Sequence, residues 1–247
     1  MTQVEKAKLF ASLHEKGTPL ILYNVWDAGS AKAVQDAGAK AVATSSWAVA
    51  EAQGYRDGED LPFSNVEQVA ARIAAVVDVP LTVDFEGGYS EDADELARNV
   101  SRLLALGVVG INFEDRVVKG PGLNAIDRQA RRIAAIREAA DNLGVPLFIN
   151  ARTDLFLGRG PDPAVAIAEA LDRAKAYGEA GASGFFVPGL RDEGLIRRAV
   201  EGAGLPVNVM VTEGIPAKLR LAEIGVARLS HGANPYVKAT ATLKEAA

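Results

Sequence analysis

The sequence predicts an α/β fold, a single-domain (β/α)8 barrel over residues 1–247, on three observations. Short runs rich in Val, Ile and Phe alternate with longer segments of helical spacing. Eight such pairs fill a chain of 247 residues, the length at which eight βα units close into one barrel. The first strand lacks the GxGxxG loop that an open, doubly wound sheet would usually carry there, running instead into Asn24-Val25-Trp26-Asp27-Ala28-Gly29-Ser30.

In chain order the strands are expected at 20–25, 41–46, 81–86, 108–114, 147–153, 184–188, 207–211 and 228–231. Several follow Gly or Pro and all are short and apolar, as buried parallel strands are. Helical spacing is clearest over 65–77, 92–106, 127–142 and 164–180. Gly38, Gly107, Gly144 and Gly181 stand where helices end before the next strand. The longest connection, 48–64, follows the second strand and is a candidate wall or lid for a site.

Apolar residues make up 49% of the chain and charged residues 24%, the make-up of a globular protein with a large core. A net charge of −5 with no basic cluster excludes a nucleic-acid footprint or a polybasic membrane anchor. There is no cysteine, which excludes disulfides, thiolate metal ligands and a thiol nucleophile. The opening MTQVEKAKLFASLHEKG has no apolar signal-peptide core, and no stretch approaches the roughly 20 apolar residues of a membrane span. A cytoplasmic enzyme with a small-molecule substrate is expected.

The informative anomaly is polar residues at strand ends. Asp84 and Glu86 in LTVDFEGG are two apart and share one face, as do Asn112 and Glu114 in GINFED and Asn150, Arg152 and Asp154 in FINARTD; strand seven adds Asn208 and Thr212. Read singly, Asp115 and Asp154 are either helix caps or partners of Arg116 and Arg152, and Arg152 is either a structural ion pair or a ligand clamp. Together, three carboxylates from adjacent strands repel one another in a low-dielectric mouth, and a divalent cation relieves that repulsion. Oxygen-only ligands suit Mg2+, with Mn2+ as the alternative.

Beside them, the turn Ala43-Thr44-Ser45-Ser46-Trp47 is either an oxyanion cradle of N–H groups and a hydroxyl or ordinary loop material. His14 is expected to be an exposed residue of the first helix. His231, closing strand eight, either lines the mouth or hydrogen-bonds the backbone there. Lys119, in the Gly-rich loop 116–123, is either at the site or an ordinary exposed lysine.

With these residues placed, the chain resembles the isocitrate lyase/phosphoenolpyruvate mutase superfamily, through NVWDAGSA, TSSWAVAEAQGYRDGE, VDFEGGY, GINFED, INARTD, FFVPG and LSHGAN in order. The resemblance implies a Mg2+-dependent barrel that assembles as a homodimer or homotetramer by exchanging its eighth helix. It further implies that Ser45, with the N–H groups of Ser46 and Trp47, binds an oxyanion. By the same resemblance Asp84 is the principal metal ligand, Glu86 stands where most relatives have Asp, and Asp57 and Glu114 complete the metal's acidic surroundings. Arg152 grips a substrate carboxylate, and Asn208 and His231 are placed on the substrate side. Ser45, Arg152, Glu114 and Lys119 form the expected catalytic set.

The departures narrow the chemistry. Isocitrate and methylisocitrate lyases carry a cysteine on the loop after strand four; here that loop reads RVVKGPGLNA. The phosphonate enzymes keep a Lys and an Asn–Ser there, and the mutases a His at the end of strand six, where this chain has Pro188. A decarboxylase or C–C lyase acting on a small, oxaloacetate-like 2-oxo or dicarboxylic acid through an enolate is therefore expected. The alternatives are P–C bond chemistry and a barrel that binds 2-oxo acids without turning them over. A Schiff-base aldolase would need a lysine on an inner strand face, and none of the inferred strands carries one.

Overall fold

A computed structural model describes residues 1–158 and 161–247. Eight parallel strands form the barrel: β1 (Leu20–Leu22), β2 (Val42–Ala43), β3 (Leu81–Asp84), β4 (Gly110–Glu114), β5 (Phe148–Arg152), β6 (Gly184–Phe186), β7 (Val207–Met210) and β8 (Arg228–Ser230). They pair in the order β1-β8-β7-β6-β5-β4-β3-β2. A single parallel bridge between Val25 and Thr44 draws the remaining seam, β1 to β2, together. All eight expected strands are present, each one to four residues shorter than expected. The lost residues lie mostly at the C-terminal ends, where the chain leaves the ladder to build loops.

The helices are α1 (Gln3–Ser12), α2 (Ala28–Asp36), α3 (Ser46–Ala52), α4 (Phe63–Ala74), α5 (Ala93–Ala105), α6 (Ile126–Asn142), α7 (Pro163–Glu179), α8 (Glu193–Gly202), α9 (Lys218–Ile224) and α10 (Asn234–Ala246). Asp92, Asp162 and Asp192 cap α5, α7 and α8 by accepting a backbone N–H of the first turn. The expected long loop after strand two, 48–64, is shorter than its sequence suggested, because Ser45 caps α3 and the loop's first five residues are helical. No helix among the described residues is long and apolar enough to cross a membrane.

The floor of the barrel is plugged by α1. Phe10 is fully buried and packs edge-on to Phe148 at 5.4 Å. Gly110 is required beneath it, since a Cβ there would lie 2.6 Å from the Phe10 ring and 2.9 Å from Thr82 Oγ1. The expectation for His14 is corrected here. The helix ends before it, and the imidazole turns under the barrel, 9% exposed, stacked on Phe148 at 3.9 Å.

The register sets a polar layer above this plug. Asp84 pairs with Asn112, Asn112 with Asn150, and Asn208 with Arg228, so the inward side chains of these strands lie at neighbouring levels.

Candidate active site

At the C-terminal ends of the strands lies a cavity of about 240 Å³. It is smaller than the roughly 300–1,000 Å³ typical of sites for drug-sized ligands, which suits a small acid. Of the residues singled out from the sequence, Ser45, Ser46, Trp47, Asp57, Asp84, Asn112, Arg152, Thr212 and His231 line it. Leu157, Phe186, Pro188 and Met210 supply an apolar wall.

Asp84 is the acid at its centre. Its Oδ2 accepts the Ser46 N–H at 3.2 Å, while its buried Oδ1 has no hydrogen-bond partner. Ser46 Oγ donates to Asp57 Oδ1 at 3.0 Å, tying the rim residue Asp57 to the same turn. Partial burial, and then the negative charge of Asp84, hold the Asp57 carboxyl above its usual range.

An orphaned buried carboxylate oxygen beside a second acid fits a hard divalent cation that keeps most of its waters. Among the described residues no three acidic or imidazole groups form a preassembled metal cage, so any ion would rest on Asp84 first.

Glu86 and Glu114, expected in the metal's acidic shell, are turned to other partners. Glu86 is 4% exposed; its Oε2 accepts the N–H groups of Gly58 and Glu59, each at 2.9 Å, and its Oε1 accepts the Tyr89 hydroxyl at 2.7 Å. Burial pushes its carboxyl up to about 7, against those donors. Glu114 lies 3.0 Å from Arg152 Nη1 and just behind the cavity. Its burial, reinforced by Asp154, Asp84 and Glu86, drives its carboxyl well above the usual range although Arg152 opposes the shift.

Arg152 resolves both ways at once. Its Nε and Nη2 donate to Asp154 at 2.7 and 3.1 Å, so Asp154 is its structural partner. The guanidinium nonetheless lines the cavity; of its five donors two are engaged by Asp154 and one on Nη1 is paired with Glu114, leaving one N–H each on Nη1 and Nη2. Asp115 is neither a cap nor a partner of Arg116. It is fully buried and accepts from Arg173, Tyr177 and the Asp154 N–H at 3.0–3.1 Å, which locks strand β5's exit against α7.

Two expected residues are placed differently, and a third, His231, is placed at the mouth. Asn208 sits one layer below the cavity, 1% exposed, with its amide engaged by Asn150, Ser230 and backbone carbonyls. Lys119 is exposed and does not line the cavity, because its loop folds back on itself through the Arg116–Leu123 bridge and packs Val118 over Gly87. His231 does line the cavity; its N–H and that of Gly232 are both held at 2.9 Å by Asn24 Oδ1. Burial, then Lys238 and Lys218, lower the affinity of its ring for a proton.

Sequence reasoning missed Asn24, which joins the β8 exit to Thr44 through its Nδ2 at 2.8 Å. Its position at the end of strand one was the available signal.

Comparison with known proteins agrees with this architecture. The model of the family described as phosphoenolpyruvate phosphomutase matches residues 10–247. A crystal structure from Burkholderia cenocepacia J2315, carrying the provisional name phosphonomutase, is 46% identical, with a TM-score of 0.95 over 98% of this chain and 97% of that one. The 2-methylisocitrate lyase of Escherichia coli K12 is 31% identical over 83% of this chain and 70% of its own. An oxaloacetate decarboxylase of Pseudomonas syringae pv. tomato is 30% identical over 73% of this chain and 63% of its own.

Proposed function

The chain belongs to the phosphoenolpyruvate phosphomutase family, and we propose that within it this protein is a divalent-metal-dependent lyase that breaks the C3–C4 bond of a small 2-oxo dicarboxylic acid such as oxaloacetate. It is an enzyme of the carbon–carbon lyase type, in keeping with the lyase and decarboxylase among its relatives. One observation carries the substrate reading. Asp84, with a free buried carboxylate oxygen, and Arg152, held by Asp154 and Glu114 with one N–H left on each terminal nitrogen, line the same small cavity.

Asp84, with Asp57 behind it, would hold Mg2+ or Mn2+, and the bound ion supplies positive charge against the keto and carboxylate oxygens of the acid. Arg152 clamps the C1 carboxylate through its remaining donors. Ser45 and the Trp47 N–H would face the developing oxyanion, the Ser46 N–H being held by Asp84. When the C3–C4 bond breaks, its electron pair moves into the C2–C3 bond, CO2 departs, and the enolate left behind takes a proton at C3 to give pyruvate. Leucine, phenylalanine, proline and methionine on the opposite wall limit water around the enolate. No thiol exists in the chain, and the Lys119 loop is folded away from the cavity, so a proton delivered from that loop is not part of the scheme.

A second reading, cleavage of a P–C bond, is favoured by the 46% identity to the provisionally named phosphonomutase. Assays of oxaloacetate, 2-methylisocitrate, isocitrate and phosphonopyruvate with Mg2+ separate the two. Fastest turnover of oxaloacetate supports the first reading, and fastest turnover of phosphonopyruvate replaces it with the second. No metal-dependent turnover of any of them would make this a binding barrel.

The same proposal includes a homo-oligomer. Pro235 is the one buried residue of α10, which leaves Val237 and Leu243 exposed. An apolar groove of about 450 Å³ runs along β1 and α2 past Ile21, Tyr23, Val34 and Ala37. A second copy's α10 laid into that groove would cover both surfaces. Light scattering of the full chain and of a chain ending at Ala233 tests this, with a dimer or tetramer expected for the first and a monomer for the second.

A further inference from the structure

Beneath the cavity, the barrel interior holds a fully buried arginine. Arg228 projects from β8, is 0% exposed, and makes one side-chain hydrogen bond among the described residues, from Nη2 to Asn112 Oδ1 at 3.0 Å. Its Nε and Nη1 have no partner. Burial lowers its proton affinity, bringing it to about 9, and the negative charge of Asp84 works against that loss. It is a cation at neutral pH, enclosed below the site.

An arginine has no acceptor, so the Asn112 atom that faces it must be the carbonyl oxygen. Asn150 makes the same demand from a second direction, donating its Nδ2 to Asn112 Oδ1 at 2.9 Å. Two donors therefore fix the amide with its oxygen toward the barrel interior. The Asn112 Nδ2, carrying two N–H donors, has no hydrogen-bond partner among the described residues, yet it is not one of the buried atoms cut off from their surroundings. Asn112 lines the cavity on its floor, next in register to Asp84.

We infer that Asn112 is a ligand-binding residue, whose amide N–H donates to an oxygen of the bound acid, and that Arg228 is a positioning residue that keeps the amide donor-side up. Resting on the proposed function, this assigns the floor of the site: a carboxylate or enolate oxygen is selected, because only an acceptor satisfies the free N–H groups, and a ligand presenting a hydroxyl donor or a methyl there is disfavoured.

The test is titration of oxalate, a planar dianion resembling the enolate of a 2-oxo acid, into the full-length protein with Mg2+, read by calorimetry beside thermal unfolding. Asn112→Asp is the decisive variant. It keeps an acceptor for Arg228 and gives that buried cation a counter-charge, so its melting temperature should be retained or raised. It replaces the N–H donors by a carboxylate oxygen, so oxalate should bind roughly 30-fold more weakly or worse, the scale of a lost hydrogen bond to a charged group. Arg228→Lys, which still donates to Asn112, should keep most of the oxalate affinity. Arg228→Met, which leaves Asn150 as the one donor holding the amide, should bind oxalate more weakly than Arg228→Lys. A merely structural arginine would move the melting temperature in both variants without separating their oxalate affinities.

Unchanged oxalate binding by Asn112→Asp overturns the assignment of Asn112 while leaving the proposed function in place. Equal affinities in the two Arg228 variants overturn the positioning role. Wild-type protein that binds oxalate but does not turn over oxaloacetate leaves the donor standing and removes the decarboxylase reading. Wild-type protein that does not bind oxalate with Mg2+ overturns both.

Discussion

Glu86 and Glu59 each hold the other's turn. The Glu86 carboxylate accepts the N–H groups of Gly58 and Glu59, and the Glu59 carboxylate accepts the N–H of Tyr89 at 2.8 Å, three residues beyond Glu86. Among the described residues, Glu59, Glu86 and Tyr89 are also the non-glycine residues with left-handed backbone, at φ of 59°, 48° and 59°. Such conformations persist where surrounding bonds over-determine them, and here those bonds join the loop that carries Asp57 to the turn that follows Asp84.

The clasp separates two roles for Glu86. Glu86→Gln keeps an oxygen for both backbone N–H groups and should bind Mg2+ with little loss. Glu86→Ala releases the Asp57 loop, and about a tenfold weaker Mg2+ affinity is expected together with a lower melting temperature. Were its charge needed by the metal, the two variants would be equally impaired in a calorimetric titration.

Asp84→Ala should abolish divalent-metal binding without loss of the fold. Its side chain receives one backbone hydrogen bond, from Ser46, so the structural cost is confined to that turn. Removing one charge also relieves the raised carboxyls of Asp57 and Glu86, both of which Asp84 pushes up. Circular dichroism and Mg2+ calorimetry on the same sample check both halves; retained affinity would dismiss the metal assignment.

For Arg152→Lys the expected loss is double. A point ammonium cannot reproduce the two-pronged contact to Asp154 or the clamp on a substrate carboxylate. About 2 kcal/mol of folding stability and a comparable loss in kcat/KM are expected. Denaturant unfolding and steady-state kinetics measure them separately. Lost stability with unchanged kinetics would reduce Arg152 to a partner of Asp154.

His14 makes the fold sensitive to acid. Burial, then the charge of Arg228, push its ring down to about 3, below the ordinary value of 6.5, and a carbonyl acceptor at Phe10 requires Nδ1 to carry the proton of the neutral ring. The folded state therefore favours neutral imidazole. Its contribution is complete above pH 6.5 and is lost progressively as pH falls toward 3. About 2 kcal/mol should be gone by roughly pH 5. Urea unfolding of His14→Phe across that range should show a shallower decline than wild type; parallel declines would refute the account.

Much of the architecture was legible in order. The eight apolar runs became eight strands, and Gly38, Gly107, Gly144 and Gly181 all adopt the positive φ expected at helix ends. The position of the site was legible too, since polar residues two apart at strand ends share a face in any parallel barrel. Asp84 and Arg152 reached the cavity for that reason, and the Ser45–Trp47 turn because it leaves a strand at the same end of the barrel. The missed features depend on partners distant in sequence. His14 looked exposed because its own helix offers no clue that Phe148 lies above it. Asn208 shares the inward face but sits one layer too deep.

What the sequence determined by itself was the alternation of strand and helix and the face toward which each strand-end side chain points, because both follow from periodicities of a few residues. Only the tertiary structure decided which of those polar groups remain free to act. Glu86 is occupied by the backbone of a loop 27 residues away, and Asn112 has its oxygen turned inward by an arginine 116 residues away. Hydrogen-bond capacity is consumed by whatever the folded chain brings within about 3 Å, and no local pattern records that distance.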